Sequence, residues 1–180
     1  AYYPENTLPS FEGAISLGPD MVELDVQITA DAEVVVFHDK RLNRCTDGRG
    51  RLGDYTLARL KKLDAGSWFH KKFTGVRVPL LAEVLELCKH KIPVNIEIKT
   101  EAVTDSLSGG IEEKCVALVD RAGMRNQVVY SSFDPRAVRH LKQMDCRIPA
   151  AVLYEKKHYG ASPPSRIVED LQADAFNCAG

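Results

Sequence analysis

From residue 22 the chain alternates: Val22, Leu24, Val26 and Ile28 are apolar, with Glu23, Asp25 and Gln27 between them. A period of two predicts a strand with one apolar face and one face carrying two carboxylates. A polar break at 30–33 separates it from Val34-Val35-Val36-Phe37, and two β-rich runs about a short turn predict a hairpin. The alternation returns at 93–100, where Val94, Ile96 and Ile98 are apolar and Asn95, Glu97 and Lys99 take the other face. Elsewhere the period is helical. Residues 8–17 predict a helix capped by Thr7 or Asn6 and stopped by Gly18-Pro19. Residues 55–63 predict a short helix capped by Asp54, and 80–89 a helix with Leu81, Val84, Leu85 and Cys88 on one side. Further helices are expected at 111–122, at 135–143 with proline in the first turn, and at 164–171. Strands are expected at 127–133 and 150–154, and another begins within 173–178. Residues 1–7, 40–53 and 68–73 read as loops, with Trp68 and Phe69 as loop anchors.

Strands alternating with helices of this length predict a parallel sheet. Strands of a doubly wound sheet are covered on both faces and read as continuous apolar runs. Here that would bury Glu23, Asp25, Asn95, Glu97 and Lys99 under helices. A (β/α)8 barrel of the TIM type accommodates them better. Its apolar residues face the outer helices, and its polar ones line the upper interior, where active sites of such barrels lie.

Length and composition change little. The 180 residues suit one domain, and 44% hydrophobic with 27% charged residues is ordinary for a globular protein. Twenty-four basic against 25 acidic residues imply no bulk attraction to nucleic acid or an anionic membrane. There is no apolar run of membrane-spanning length, so no stable membrane insertion is expected. Five scattered cysteines without C-x-x-C read as reduced thiols and point to the cytoplasm.

Candidate chemistry starts from the acid pair. Glu23 and Asp25 on one strand face lie roughly 6.5–7 Å apart, and burial would make them resist ionisation unless a cation sat between them. Alone, the pair is also what an edge strand with one wet face would show. A hairpin turn centred between Asp31 and Ala32 would place His38 directly across from Asp25, which favours a site. Carboxylates without clustered Cys or His suit a hard cation, Ca²⁺ or Mg²⁺. Lys99 adds positive charge for an anion, and an imidazole with a reference pKa of about 6.5 can move protons at neutral pH. His70, His90, His140 and His158 read as surface residues without an acid partner, and Lys71-Lys72 and Lys156-Lys157 as solvated surface.

Pro4-Glu5-Asn6-Thr7, Glu23-Leu24-Asp25-Val26, His38-Asp39, Gly66, Pro79-Leu80-Leu81, Asn95-Ile96-Glu97-Ile98-Lys99 and Ser132-Phe133 together closely resemble the glycerophosphodiester phosphodiesterase family. The resemblance implies a TIM barrel with a small insertion, here at about 29–78, that contains His38. It implies hydrolysis of glycerophosphodiesters, such as glycerophosphocholine or glycerophosphoethanolamine, to glycerol 3-phosphate and an alcohol. By position, Glu23, Asp25 and Glu97 would hold the divalent cation, His38 would be one of two acid–base histidines, and Lys99 would contact the phosphate. Glu5 matches the acid of the P-E-N-T loop and is expected to support the site. The family's His-Arg-Gly motif would precede Ala1, and two further strands would follow Gly180. The 180 residues are therefore expected to be a barrel fragment lacking the first and last strands. Ala32 stands where the family usually has a hairpin glycine, so an altered turn is expected. Lysophospholipase D-type activity and a non-catalytic barrel segment are the alternatives.

Overall fold

The computed structural model describes residues 2–178. Ala1 of the expected opening loop, and residues 179–180 at the end of the expected domain, lie outside the described residues. Its strands are β1 (Val22–Ile28), β2 (Val34–Val36), β3 (Val94–Ile98), β4 (Val128–Ser132), β5 (Ala150–Tyr154) and β6 (Ala175–Cys178). They form one sheet in the order β2-β1-β3-β4-β5-β6. β2 is antiparallel to β1, and every other pairing is parallel. Five parallel strands therefore stand in chain order, with helices between them. That is the wall of a (β/α) barrel, whereas a doubly wound sheet reverses its order at a switch point.

The helices are α1 (Leu8–Leu17), α2 (Leu57–Leu60), α3 (Leu81–Cys88), α4 (Ile111–Ala122), α5 (Pro135–Met144), α6 (Lys156–Tyr159) and α7 (Pro164–Leu171). Gly18 and Gly123 end α1 and α4 in the left-handed conformation that glycine adopts freely. Leu24, Val26, Ile96 and Ile98 pack from the strands against Leu81, Leu85, Ile111 and Leu141 of the helices. Each is fully buried, contributing about 1.5–3 kcal/mol. Because side chains alternate along a strand, burying these residues turns Glu23, Asp25, Gln27, Asn95 and Glu97 to the other face.

Val35 of β2 and the residues that follow build a second, smaller core with Phe37, Leu42, Cys45, Leu52, Leu60, Ala65 and Val78. The helix expected at 55–63 is only the single turn of α2. Asp54 is drawn into a 3₁₀ turn at Leu52–Asp54, and Thr56 takes the N-cap position instead. The loop that follows is organised by Asp64, whose carboxylate accepts from the backbone N–H groups of Gly66 (2.9 Å), Ser67 (2.8 Å) and Gly75 (2.6 Å). Gly66 is required there, since a Cβ would collide with the Phe73 carbonyl oxygen.

The hairpin forms one residue out of the expected step. Val26 pairs with Val36, Gln27 with Val35 and Ile28 with Val34. Phe37, not His38, lies across from Asp25, donating its N–H to the Asp25 carbonyl at 2.9 Å. The turn closes between Thr29 and Glu33, with Ala32 N–H on the Thr29 carbonyl and the Thr29 hydroxyl on Asp31. Ala32 takes the left-handed conformation (φ 63°) that suits glycine, at some strain. With this register Val34 and Val36 join the main core, and Val35 and Phe37 join the second.

Candidate active site

Parallel pairing of β1 with β3 sets Asp25 beside Glu97 and Glu23 beside Asn95. Glu23, Asp25 and Glu97 each present a carboxylate oxygen, and these oxygens lie within 4.8 Å of one another. Lys99 sits just past the end of β3. Its Nζ is 2.6 Å from Glu97 and 3.3 Å from Asp25. Asp25 is buried and is held from outside the sheet, where the Asn6 amide donates to Oδ2 at 2.8 Å.

The charges are under tension. Burial, then the like charges of Asp25 and Glu97, push the Glu23 carboxyl up to about 7, although part of the side chain remains open to solvent. Burial likewise raises Glu97, against the opposing pull of Lys99. Desolvation works against the Lys99 charge, but contact with Glu97 and Asp25 outweighs it, and the ammonium is held above its ordinary value. One lysine leaves three carboxylates short of neutrality. Oxygen donors at this spacing, with net negative charge, fit a hard divalent cation of the Ca²⁺ or Mg²⁺ kind. The next layer offers further polar atoms. Asn95 Oδ1 beside Glu23, and Ser131 Oγ in register with Glu97, are buried without a hydrogen-bond partner among the described residues.

The opening loop serves the site residue by residue. The Thr7 hydroxyl donates to the Pro4 carbonyl at 2.7 Å, fixing the turn that begins α1. Asn6 adopts a left-handed conformation (φ 53°), which frees its amide to reach Asp25 rather than cap the helix. Glu5 lies outside the acid cluster and instead accepts two hydrogen bonds from Arg44.

His38 reaches the site by a different route from the expected one. β2 ends at Val36, and the chain turns so that the Phe37, His38 and Asp39 carbonyls converge on Gln27 Nε2 at 3.0, 3.1 and 2.8 Å. The imidazole is near enough for its charge to bear on Glu23, Glu97 and Glu5, favouring their ionised forms. Its Nδ1 lies 2.7 Å from Asp39 Oδ1, and Asp39 is in turn gripped by Arg44.

Among the remaining histidines, two that were expected to lack an acid partner have one. His140 is buried between α4 and α5, 3.0 Å from the buried Glu112 carboxylate, because the first turn of α4 packs against α5 there. His158 lies 3.8 Å from Glu155. Lys71, Lys72, Lys156 and Lys157 are exposed as expected, with Lys72 Nζ over the Phe73 ring at 4.7 Å. Trp68 is anchored by its Nε1 on the Ala65 carbonyl. Sequence reasoning missed Arg44, Gln27 and Ser131 as site residues. Ser131 lay beside a quoted motif, and Gln27 sat on the acidic face of β1, but nothing near Arg44 in the chain signalled Glu5.

Fold and site together define the wall of a (β/α) barrel with a cluster of three carboxylates and a lysine on the face turned away from the helices. The chain belongs to the glycerophosphoryl diester phosphodiesterase family, whose model matches residues 1–179. It is 44% identical over 153 residues to a glycerophosphodiester phosphodiesterase of Caldanaerobacter subterraneus subsp. tengcongensis, covering 84% of this chain and 62% of that relative. It is also similar to the crystal structure of a glycerophosphodiester phosphodiesterase from Agrobacterium tumefaciens (TM-score 0.83, 30% identity, covering 98% of this chain and 71% of that one). A phosphodiesterase from Oleispira antarctica, solved with its product sn-glycerol-3-phosphate, is similar at TM-score 0.82 and 29% identity, covering 98% of this chain and 70% of that one.

Proposed function

We propose that the protein carrying this chain hydrolyses glycerophosphodiesters to glycerol 3-phosphate and an alcohol in a reaction that depends on a divalent cation. The observation that carries this reading is the convergence of the Glu23, Asp25 and Glu97 carboxylates beside Lys99. Family membership and a similar enzyme with glycerol 3-phosphate bound support it. Glu23, Asp25 and Glu97 would hold Ca²⁺ or Mg²⁺. The bound cation would polarise a phosphoryl oxygen and offset the charge that builds up in the transition state. Lys99 faces the same space and contributes a positive charge toward the phosphate. His38 moves the proton, a role that typically contributes about 10²–10⁴-fold. Glu5 supports the site from the opening loop. The same geometry serves attack by the glycerol 2-hydroxyl or by water.

On this reading residues 1–180 form one domain, with 29–78 as a small insertion that brings His38. No helix among the described residues is long and apolar enough to cross a membrane. We place the reaction in the cytoplasm, which suits five cysteines that are all free thiols.

The test uses the full-length gene product. Release of glycerol 3-phosphate from glycerophosphocholine is followed with and without EDTA, for wild type, His38→Ala and Glu97→Gln. We expect activity to need the cation and both variants to lose about 10²-fold or more. Near-full activity in His38→Ala would remove the acid–base role. Cleavage of a lysolipid but of no glycerophosphodiester would keep the site and change the substrate. A metal-replete protein inert on both would make this a non-catalytic barrel.

A further inference from the structure

The groups that fix His38 form a continuous chain back to the acid cluster. Arg44 donates from Nε and Nη2 to the two oxygens of Asp39, at 2.7 and 2.8 Å. The other side of the same guanidinium donates from Nη1 and Nη2 to the two oxygens of Glu5, at 2.8 and 2.6 Å. Four of its five N–H groups are thereby used on two carboxylates. Glu5 adjoins Asn6, whose amide holds Asp25. The path therefore runs from Asp25 through Asn6, Glu5, Arg44 and Asp39 to the His38 ring.

We infer that Arg44 is a positioning residue that sets the tautomer and orientation of His38 through Asp39. The inference rests on the hydrolase reading only for its consequence in turnover. Arg44, Glu5 and His38 are all partly exposed, so ion pairs here stabilise the fold little. Their contribution is geometric, because a two-sided fork fixes the planes of both carboxylates. Asp39 is ionised at neutral pH and can only accept hydrogen bonds, and Arg44, which also holds its carboxyl down at about 2, adds a fixed carboxylate plane beside the ring. The nitrogen 2.7 Å from it, His38 Nδ1, must then be the donor. In the neutral ring Nε2 is left bare, and that is the nitrogen able to take up or return a proton at the reacting phosphate. A lysine could not replace the fork, since an ammonium is a point charge without the paired, planar donors.

The test is ¹⁵N NMR of the His38 side chain in the full-length protein, recorded above the imidazole pKa and assigned by the signal lost in His38→Gln. Wild type should show Nδ1 protonated and Nε2 bare. Arg44→Gln should move the signals toward a mixture with protonated Nε2, and Arg44→Lys should fall between. Retention of the wild-type pattern in folded Arg44→Gln overturns the inference, as does a wild type already protonated on Nε2. If Arg44→Gln does not fold, Arg44→Lys decides by the same signals. Turnover is a separate readout. In Arg44→Gln kcat should fall about 10–100-fold with KM changed less than about threefold, and adding it to His38→Ala should cost almost nothing more. A drop confined to KM, or full additivity with His38→Ala, also overturns it. If wild type cleaves no diester, the hydrolase reading fails, and the ring signals still decide the role of Arg44.

Discussion

Asn6 shows how much one short side chain can settle. Its amide donates to Asp25 Oδ2 at 2.8 Å, while its own backbone bends into the left-handed region that asparagine tolerates. An outer hydrogen bond of this kind aims a carboxylate at whatever it binds and typically carries about 10–100-fold in metal affinity. Asn6→Ala should therefore weaken Ca²⁺ or Mg²⁺ binding by that factor in titration calorimetry, with the barrel still folded. An unchanged affinity would mean that Asp25 needs no help in facing the site. Ser131 stands at the opposite extreme. It is buried in register with Glu97, and its hydroxyl has no hydrogen-bond partner among the described residues.

At the scale of elements, the reliable signals were the periodic ones. The boundaries of α1, α4, α7 and β5 match those expected, and β1 and β3 present Glu23, Asp25 and Glu97 on one face as their alternation required. The hairpin was legible as an element but not in register. A slip of one residue depends on how the Thr29–Glu33 turn closes, and Ala32 in a left-handed conformation gives no local sign of it. His140 was misread because burial by a neighbouring helix is a tertiary fact, invisible in a stretch that looks polar. The loop after α2 was equally opaque, since its organiser is Asp64 accepting three backbone N–H groups. Partial burial acts against the Asp64 charge, but the donors of Ser67, Gly75 and Gly66 prevail and hold its carboxyl near 2. A folded pKa below the unfolded one means that stability is present above about pH 4 and is lost as pH falls toward 2. Asp64→Asn should accordingly lower the melting temperature at pH 7 and make much less difference at pH 2.5. An equal loss at both values would show that the charge of Asp64 plays no part.

For the molecule as a whole, the proposed cation site on the barrel wall would make folding and cation binding linked equilibria. Three carboxylates with one lysine repel one another in the folded chain more than in the unfolded one. A cation that binds only the folded form stabilises it by about 2.7 kcal/mol at a hundred times its Kd, or some 5–10 °C in a domain of this size. In differential scanning calorimetry of the full-length protein, Ca²⁺ or Mg²⁺ should raise the melting temperature, and EDTA should reverse the rise. Glu97→Gln should abolish the shift. A cation-independent melt in wild type would remove the metal from the reading.

The two cores have a further consequence. The acids stand on strands backed by the larger core, whereas the imidazole rides on a lobe packed around Phe37, Leu42, Leu52 and Leu60. Cooperative units of different size come apart at different free energies. On the proposed reading, the lesser lobe should loosen first on warming and carry His38 out of alignment while the wall with its carboxylates stays intact. Loss of function and loss of fold would then be separate thermal events, the margin between them set by a few aliphatic side chains remote from the acid cluster.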